Sequence, residues 1–201
     1  MVADFLPETR FLSALPGGAT REFNRKNRSA HQRPGHYSGR DPFETGNMSA
    51  YRFQGIPDSI ATAARESMKS PQYGHPAHAE VASGYGPCRQ CLRTFHVGSE
   101  ERLLFTYQPF SDPSALPAPG PVFIHREPCE RYDGPELPQA LRPLPLALES
   151  YGDDGVLLAQ RRVGGLAFEA ALQQAFEPAE VRYVHLRNAE AGCFIARIDR
   201  H

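Results

Sequence analysis

Cys88-Arg89-Gln90-Cys91 sets two thiols three positions apart. Thiolates at that spacing can share one metal ion or close a strained, reducible disulfide, and thiols can also simply pack as small buried hydrophobes. Cys129 and Cys193 complete the cysteine inventory, with His125 four residues before the former and His185 eight before the latter. Zinc accepts any tetrahedral mixture of thiolate and imidazole. A site can therefore be drawn from Cys88, Cys91 and Cys129, with His125 or Cys193 as fourth ligand. Three features oppose it. The spacing to the later ligands is not that of a ribbon or finger, there is no second CxxC, and Leu92 stands where zinc knuckles usually carry Gly. A redox dithiol is the competing chemistry, since Arg89 and Arg93 would raise the thiolate fraction. Its flanks are wrong, because a thioredoxin-like motif opens a helix after a core strand. Cys193, beside Phe194 and Ile195, suits plain packing, and His125 suits capping of a carbonyl at a strand end.

A second constellation lies near the C-terminus. In a strand, Tyr183, His185 and Arg187 share one face, with Val184 and Leu186 on the other. Such a face can bind an anion or carboxylate, or can be an ordinary solvent face whose arginine meets an acidic neighbour. Combined with the thiols it suggests a small enzyme. Cys88 or Cys91 would be nucleophile or redox centre, His185 general base and Arg187 anion clamp.

The elements that must position these groups follow from periodicity and punctuation. Alternation over 50–56 predicts a strand, and Pro57-Asp58-Ser59 then opens a helix capped by Asp58 or Ser59. That helix carries Ile60, Ala63, Ala64 and Met68 on one face. Residues 71–87 read as a loop rich in Pro, Gly and His. Cys91–Val97 and Arg102–Pro109 read as a hairpin, and 121–125 as a strand with Pro121 at its first position. The proline-rich stretches 111–121 and 126–145 read as loops, with one helical turn near 137–141. Strands follow at 144–151, 156–162, 181–187 and 193–200, and a helix at 166–176 ended by Pro178. Seven or so strands and two helices without strict alternation imply an α+β fold with a mainly antiparallel sheet.

Residues 1–47 are polar and aperiodic and read as a disordered leader, with the folded domain expected over 48–201. The basic run 21–40 is the single hint of nucleic-acid binding, and a formal net charge of −1 gives no global pull toward polyanions. No apolar run has the ~18 residues of a membrane span and no secretory signal pattern opens the chain, so a cytoplasmic location with reduced thiols is expected. Only Lys26 and Lys69 are lysine among 22 basic residues, so any anion site would be built from guanidinium groups.

The segments GYGPCRQCLRTF (84–95), ERLLFTYQPF (101–110), PGPVFIHREPCERY (119–132) and YVHLRNAEAGCFIARIDR (183–200) together resemble a bacterial family catalogued as domain of unknown function 1203. The resemblance covers about residues 49–201. It implies a compact bacterial domain and brings no mechanism. Three readings stand side by side: a Cys/His metal domain, with zinc the expected ion; a small cysteine enzyme; and a non-catalytic binding module.

Overall fold

The alternation around Phe53 forms strand β1, Tyr51–Gln54, and Pro57 bars continuation, so helix α1 opens at Asp58 and runs to Ser67. A computed structural model describes residues 50–84, 86–112, 115–164 and 167–201. The leader and its basic run lie outside those residues. Pro57 itself takes the N-cap position without a side-chain cap. The Asp58 carboxylate instead accepts a 2.6 Å hydrogen bond from Gln90 Nε2.

Strands β2 (His78–Val81), β3 (Glu101–Tyr107) and β4 (Gly120–His125) form a three-stranded antiparallel sheet in the order β2-β3-β4. The expected hairpin is thus corrected. The 91–97 arm is turn and coil, and β3 pairs with β2, inside the stretch read as loop, and with β4. The β-prone residues of the failed arm serve burial: Leu92 and Phe95 point into the core from irregular backbone.

The larger sheet adds β5 (Asp133–Gly134), β6 (Leu146–Tyr151), β7 (Leu157–Val163), β8 (Tyr183–Asn188) and β9 (Phe194–Arg200), in the antiparallel order β5-β1-β9-β8-β6-β7. A 3-10 turn at Gln139–Leu141 matches the single turn expected there. Helix α2, Phe168–Ala175, covers one face of the sheet. Fold class is therefore α+β with antiparallel pairing throughout, over nine strands in two sheets among the described residues. The sequence pattern shows periodicity and says nothing of how strands divide between sheets.

Two apolar clusters result. Phe53, Leu148, Leu186, Ile198 and Phe168 belong to the one under α2. The other joins α1 to the smaller sheet through Ala61, Ala64, Leu103, Phe105 and Ile124, and it contains Cys88 and Cys91. Leu92, next in the chain, belongs to the first cluster. The CxxC turn therefore sits at the seam of both cores. Among the described residues no helix is long and apolar enough to cross a membrane.

Candidate metal centre

The CxxC segment folds into a tight turn. Leu92 N–H donates to Cys88 O at 2.9 Å and Cys88 N–H to Arg93 O at 2.8 Å. Leu92 has φ 57°, in the left-handed region that a non-Gly residue enters at a cost of roughly 1 kcal/mol. The absent glycine thus does not change the backbone path. Leucine keeps the turn and adds a fully buried side chain, whose burial is worth about 2 kcal/mol and offsets the strain. Arg89 N–H donates to Phe123 O, and Gln90 O accepts from Tyr132 N–H, both at 2.8 Å. These bonds lock the turn to β4 and to the chain after it.

That chain delivers the remaining donors. His125 ends β4, and Cys129 lies in the coil leading to β5. One ligand atom from each of Cys88, Cys91, His125 and Cys129 lies within 4.8 Å of all the others. Cys88 Sγ is 3.8 Å from Cys129 Sγ, and Cys91 Sγ is 3.4 Å from His125 Nδ1. Tetrahedral zinc with Zn–S of ~2.3 Å and Zn–N of ~2.05 Å demands about 3.8 Å between sulfurs and about 3.5 Å between sulfur and nitrogen. Soft thiolates with one imidazole are the donor set for zinc or a similar thiophilic ion. The four residues can hold a metal ion.

The surroundings orient the donors. With Nδ1 toward the sulfurs, His125 Nε2–H faces the Glu100 carboxylate at 3.3 Å, and the Phe95 ring packs at 4.7 Å from the imidazole. Glu100 is held below the ordinary carboxylate range, first by the His96 backbone N–H. The Arg65 guanidinium reaches Cys129 Sγ at 3.6 Å, His125 O at 3.0 Å and Gln90 Oε1 at 2.6 Å. Cys91 raises the pKa of the neighbouring Arg93 guanidinium.

The cluster accepts one negative charge readily and resists more. Hydrogen bonds from Cys129, then Cys88, pull the Cys91 thiol far down. Contacts with Cys88 and Cys91 push Cys129 far up, and the same two residues raise His125 to about 10. Three close sulfurs ionise together only if a cation joins them, which is what a metal supplies. Among the described residues, buried Arg89 has no carboxylate in hydrogen-bond contact. It bonds the carbonyls of Phe194 and Pro87, and Cys193 and Cys88 partly restore a pKa that burial lowers to about 10. With Arg65 and Arg93 it would supply counter-charge to an anionic metal–trithiolate centre.

Cys193 stands outside the group of four. Its thiol meets Ala191 O at 3.7 Å and is not among the four ligand atoms that lie together. The model for "protein of unknown function (DUF1203)" matches residues 85–200, a span that contains all four clustered residues. The chain belongs to the DUF1203 family. No curated protein and no solved structure matches it.

The other DUF1203 candidates, His185 and Arg187, lie on the sheet face as read, together with Tyr183. The face supplies its own carboxylate. Buried Glu149, directly opposite His185, takes the Arg187 guanidinium and accepts from Tyr151 OH at 2.5 Å and Gln160 Nε2 at 3.0 Å. His185 is fully buried among the rings of Phe110, Tyr151, Tyr183 and Phe194, and neither ring nitrogen has a protein partner. The imidazole beside the thiols is that of His125. Glu100, Arg65 and Gln90 escaped the sequence reading. Gln90 lay inside the motif, but the other two are polar residues of a turn and a helix end with no local sign of their target.

Burial, then the charges of Arg187 and Arg197, push the His185 pKa well below 6.5. The unfolded chain then binds the extra proton as pH falls below 6.5, so stability present above that pH is lost on acidification. The expected slope reaches about 1.4 kcal/mol per pH unit. His185→Phe should abolish that part of the slope and, by removing two unpaired nitrogens, stabilise the neutral-pH protein by about 1–2 kcal/mol. Urea titrations of both proteins at several pH values check this, and equal slopes would refute it.

Proposed function

We propose that this DUF1203 domain carries a structural zinc centre, in which the thiolates of Cys88, Cys91 and Cys129 and the Nδ1 of His125 hold one ion. The observation that carries the reading is the agreement between the sulfur–sulfur and sulfur–nitrogen separations and tetrahedral zinc. Four protein donors leave no open position for a substrate, which separates a structural site from a catalytic one. The ion would tie the turn after the β2 segment, the end of β4 and the coil to β5 into one unit.

Metal analysis of the purified, reduced full chain tests it. About one zinc per chain is expected in the wild type and in Cys193→Ser. Cys88→Ser and Cys129→Ser should lose it. Well-folded wild-type protein without metal, which takes up none when zinc is supplied, overturns the reading. Glu100 should act through His125, as carboxylates behind zinc-bound imidazoles do. Glu100→Ala is expected to weaken zinc binding about 10- to 100-fold in a chelator competition, while Glu100→Gln, which still accepts a hydrogen bond, loses less. Identical affinities would place Glu100 outside the centre.

A further inference from the structure

The three thiols of the centre differ in access and in company. Cys88 is fully buried, receives the His125 backbone N–H at 3.3 Å, and has the sulfur of Cys129 at 3.8 Å. Cys91 is buried and faces the imidazole. Cys129 alone of the three is half-buried and sits in coil between β4 and β5. With an ion bound, all three sulfurs would be thiolates, the form that attacks an oxidant, and the Arg65 guanidinium lies 3.6 Å from the sulfur of Cys129. One reachable thiolate, one shielded thiolate against it and a carrier segment free of ladder bonds are the parts of a peroxide-sensitive metal clamp.

We propose that hydroperoxides oxidise Cys129 and that Cys88 resolves the product as a Cys88–Cys129 disulfide, expelling the ion. The metal release rests on the zinc reading above; the sulfur pairing does not. The Cys129 thiolate attacks one peroxide oxygen, the O–O bond breaks, and the departing hydroxide or alkoxide takes a proton from solvent. The Cys88 thiolate then attacks the Cys129 sulfur. The S–S bond forms, the S–O bond breaks, and the second hydroxide leaves as water after protonation. Two sulfurs lose one electron each and the peroxide becomes water and water, or water and alcohol. Cys91 and His125 remain as the only donors, too few for a tetrahedral structural site. A dithiol reductant reverses the step by thiol–disulfide exchange.

The disulfide also acts on the fold. The Cys129 coil carries Arg131 and Tyr132, whose Nε–H and carbonyl bond Gly55 O and Gly55 N–H, each at 2.9 Å. Shortening the Cys88–Cys129 separation toward a ~2.05 Å bond pulls that coil, and with it the β5 edge of the larger sheet. Release of the ion and loosening of β5 are therefore one event.

The test uses the full chain, first assayed for zinc and then titrated with hydrogen peroxide beside a chromogenic zinc indicator. Thiols are alkylated and the peptides mapped by mass spectrometry. The expected result is loss of bound zinc in step with one crosslink, Cys88 to Cys129, with Cys91 still alkylated. Dithiothreitol with added zinc restores the starting state. Cys193→Ser, which alters no ligand, should release zinc with the same peroxide dependence. Zinc retained after Cys193 is oxidised, Cys129 driven to sulfinic acid without a crosslink, or a Cys88–Cys91 bridge each overturns the proposal. A chain that holds no zinc at the outset fails the metal reading alone, and its crosslink map still decides the sulfur pairing.

Discussion

Stripping the metal from reduced protein with a strong chelator is expected to cost at least about 5 kcal/mol of unfolding free energy. Structural zinc contributes roughly 10–16 kcal/mol in small finger peptides, whose whole fold depends on it. This chain has more to fall back on, because the core under α2 is built from β1, β6, β8 and β9 without the four donors. The loss is nonetheless large because of where the turn sits. Cys88 and Cys91 belong to the smaller core and Leu92 to the larger, so releasing the turn disturbs both. Without the ion, Leu92 also keeps its left-handed backbone with less to enforce it. Denaturant melts of metal-loaded and chelated protein measure the difference, and re-addition of zinc should recover it. A change below about 1 kcal/mol would mean that the sulfurs act as packed thiols, the ordinary state of buried cysteine.

The donors were visible in the sequence as residue types, and their meeting was not. Cys88 and Cys91 announce themselves by spacing. His125 and Cys129 are tied to them by the tertiary path of β4, which runs beside the CxxC turn and whose Phe123 O accepts from Arg89 N–H. Nothing in a linear pattern separates Cys129, which joins the centre, from Cys193, which does not. Helix α1, α2, β1, β4 and the final hairpin β8–β9 were legible because their periodicity agrees with their burial. The segment 91–97 was not, because Leu92, Phe95 and Val97 are β-prone residues while the hydrogen bonds of the CxxC turn dictate the backbone. Strand β2 failed in the opposite way. It is an edge strand with mostly exposed residues, so no alternation marks it amid the prolines and histidines. The face of Tyr183, His185 and Arg187 was placed correctly, but the buried carboxylate that meets Arg187 comes from Glu149 across the ladder.

Gly55→Ala should be the most damaging Gly→Ala change among the described glycines. A Cβ at Gly55 would lie 2.0 Å from Gln90 O, 2.8 Å from Arg89 O and 2.8 Å from Gln90 C. All three are backbone atoms of the CxxC turn, so no rotamer change relieves the clash. Ile56 N–H donates to Arg89 O at 2.8 Å and Gly55 N–H to Tyr132 O at 2.9 Å, which fixes the β1–α1 junction between the turn and the Cys129 coil. Separating them to admit a methyl breaks these bonds and moves Cys88 and Cys91 away from His125 and Cys129. The expected cost is about 3 kcal/mol or more, the upper end for overpacking, accompanied by weakened zinc binding. Gly120→Ala is the matched control, since no atom lies within 4 Å of its Cβ and its backbone needs no left-handed conformation. It should change stability by less than about 0.5 kcal/mol and leave the metal in place. If Gly55→Ala instead melts and binds zinc like the control, the turn does not press on that junction, and the contacts that bring the four donors together must come from elsewhere.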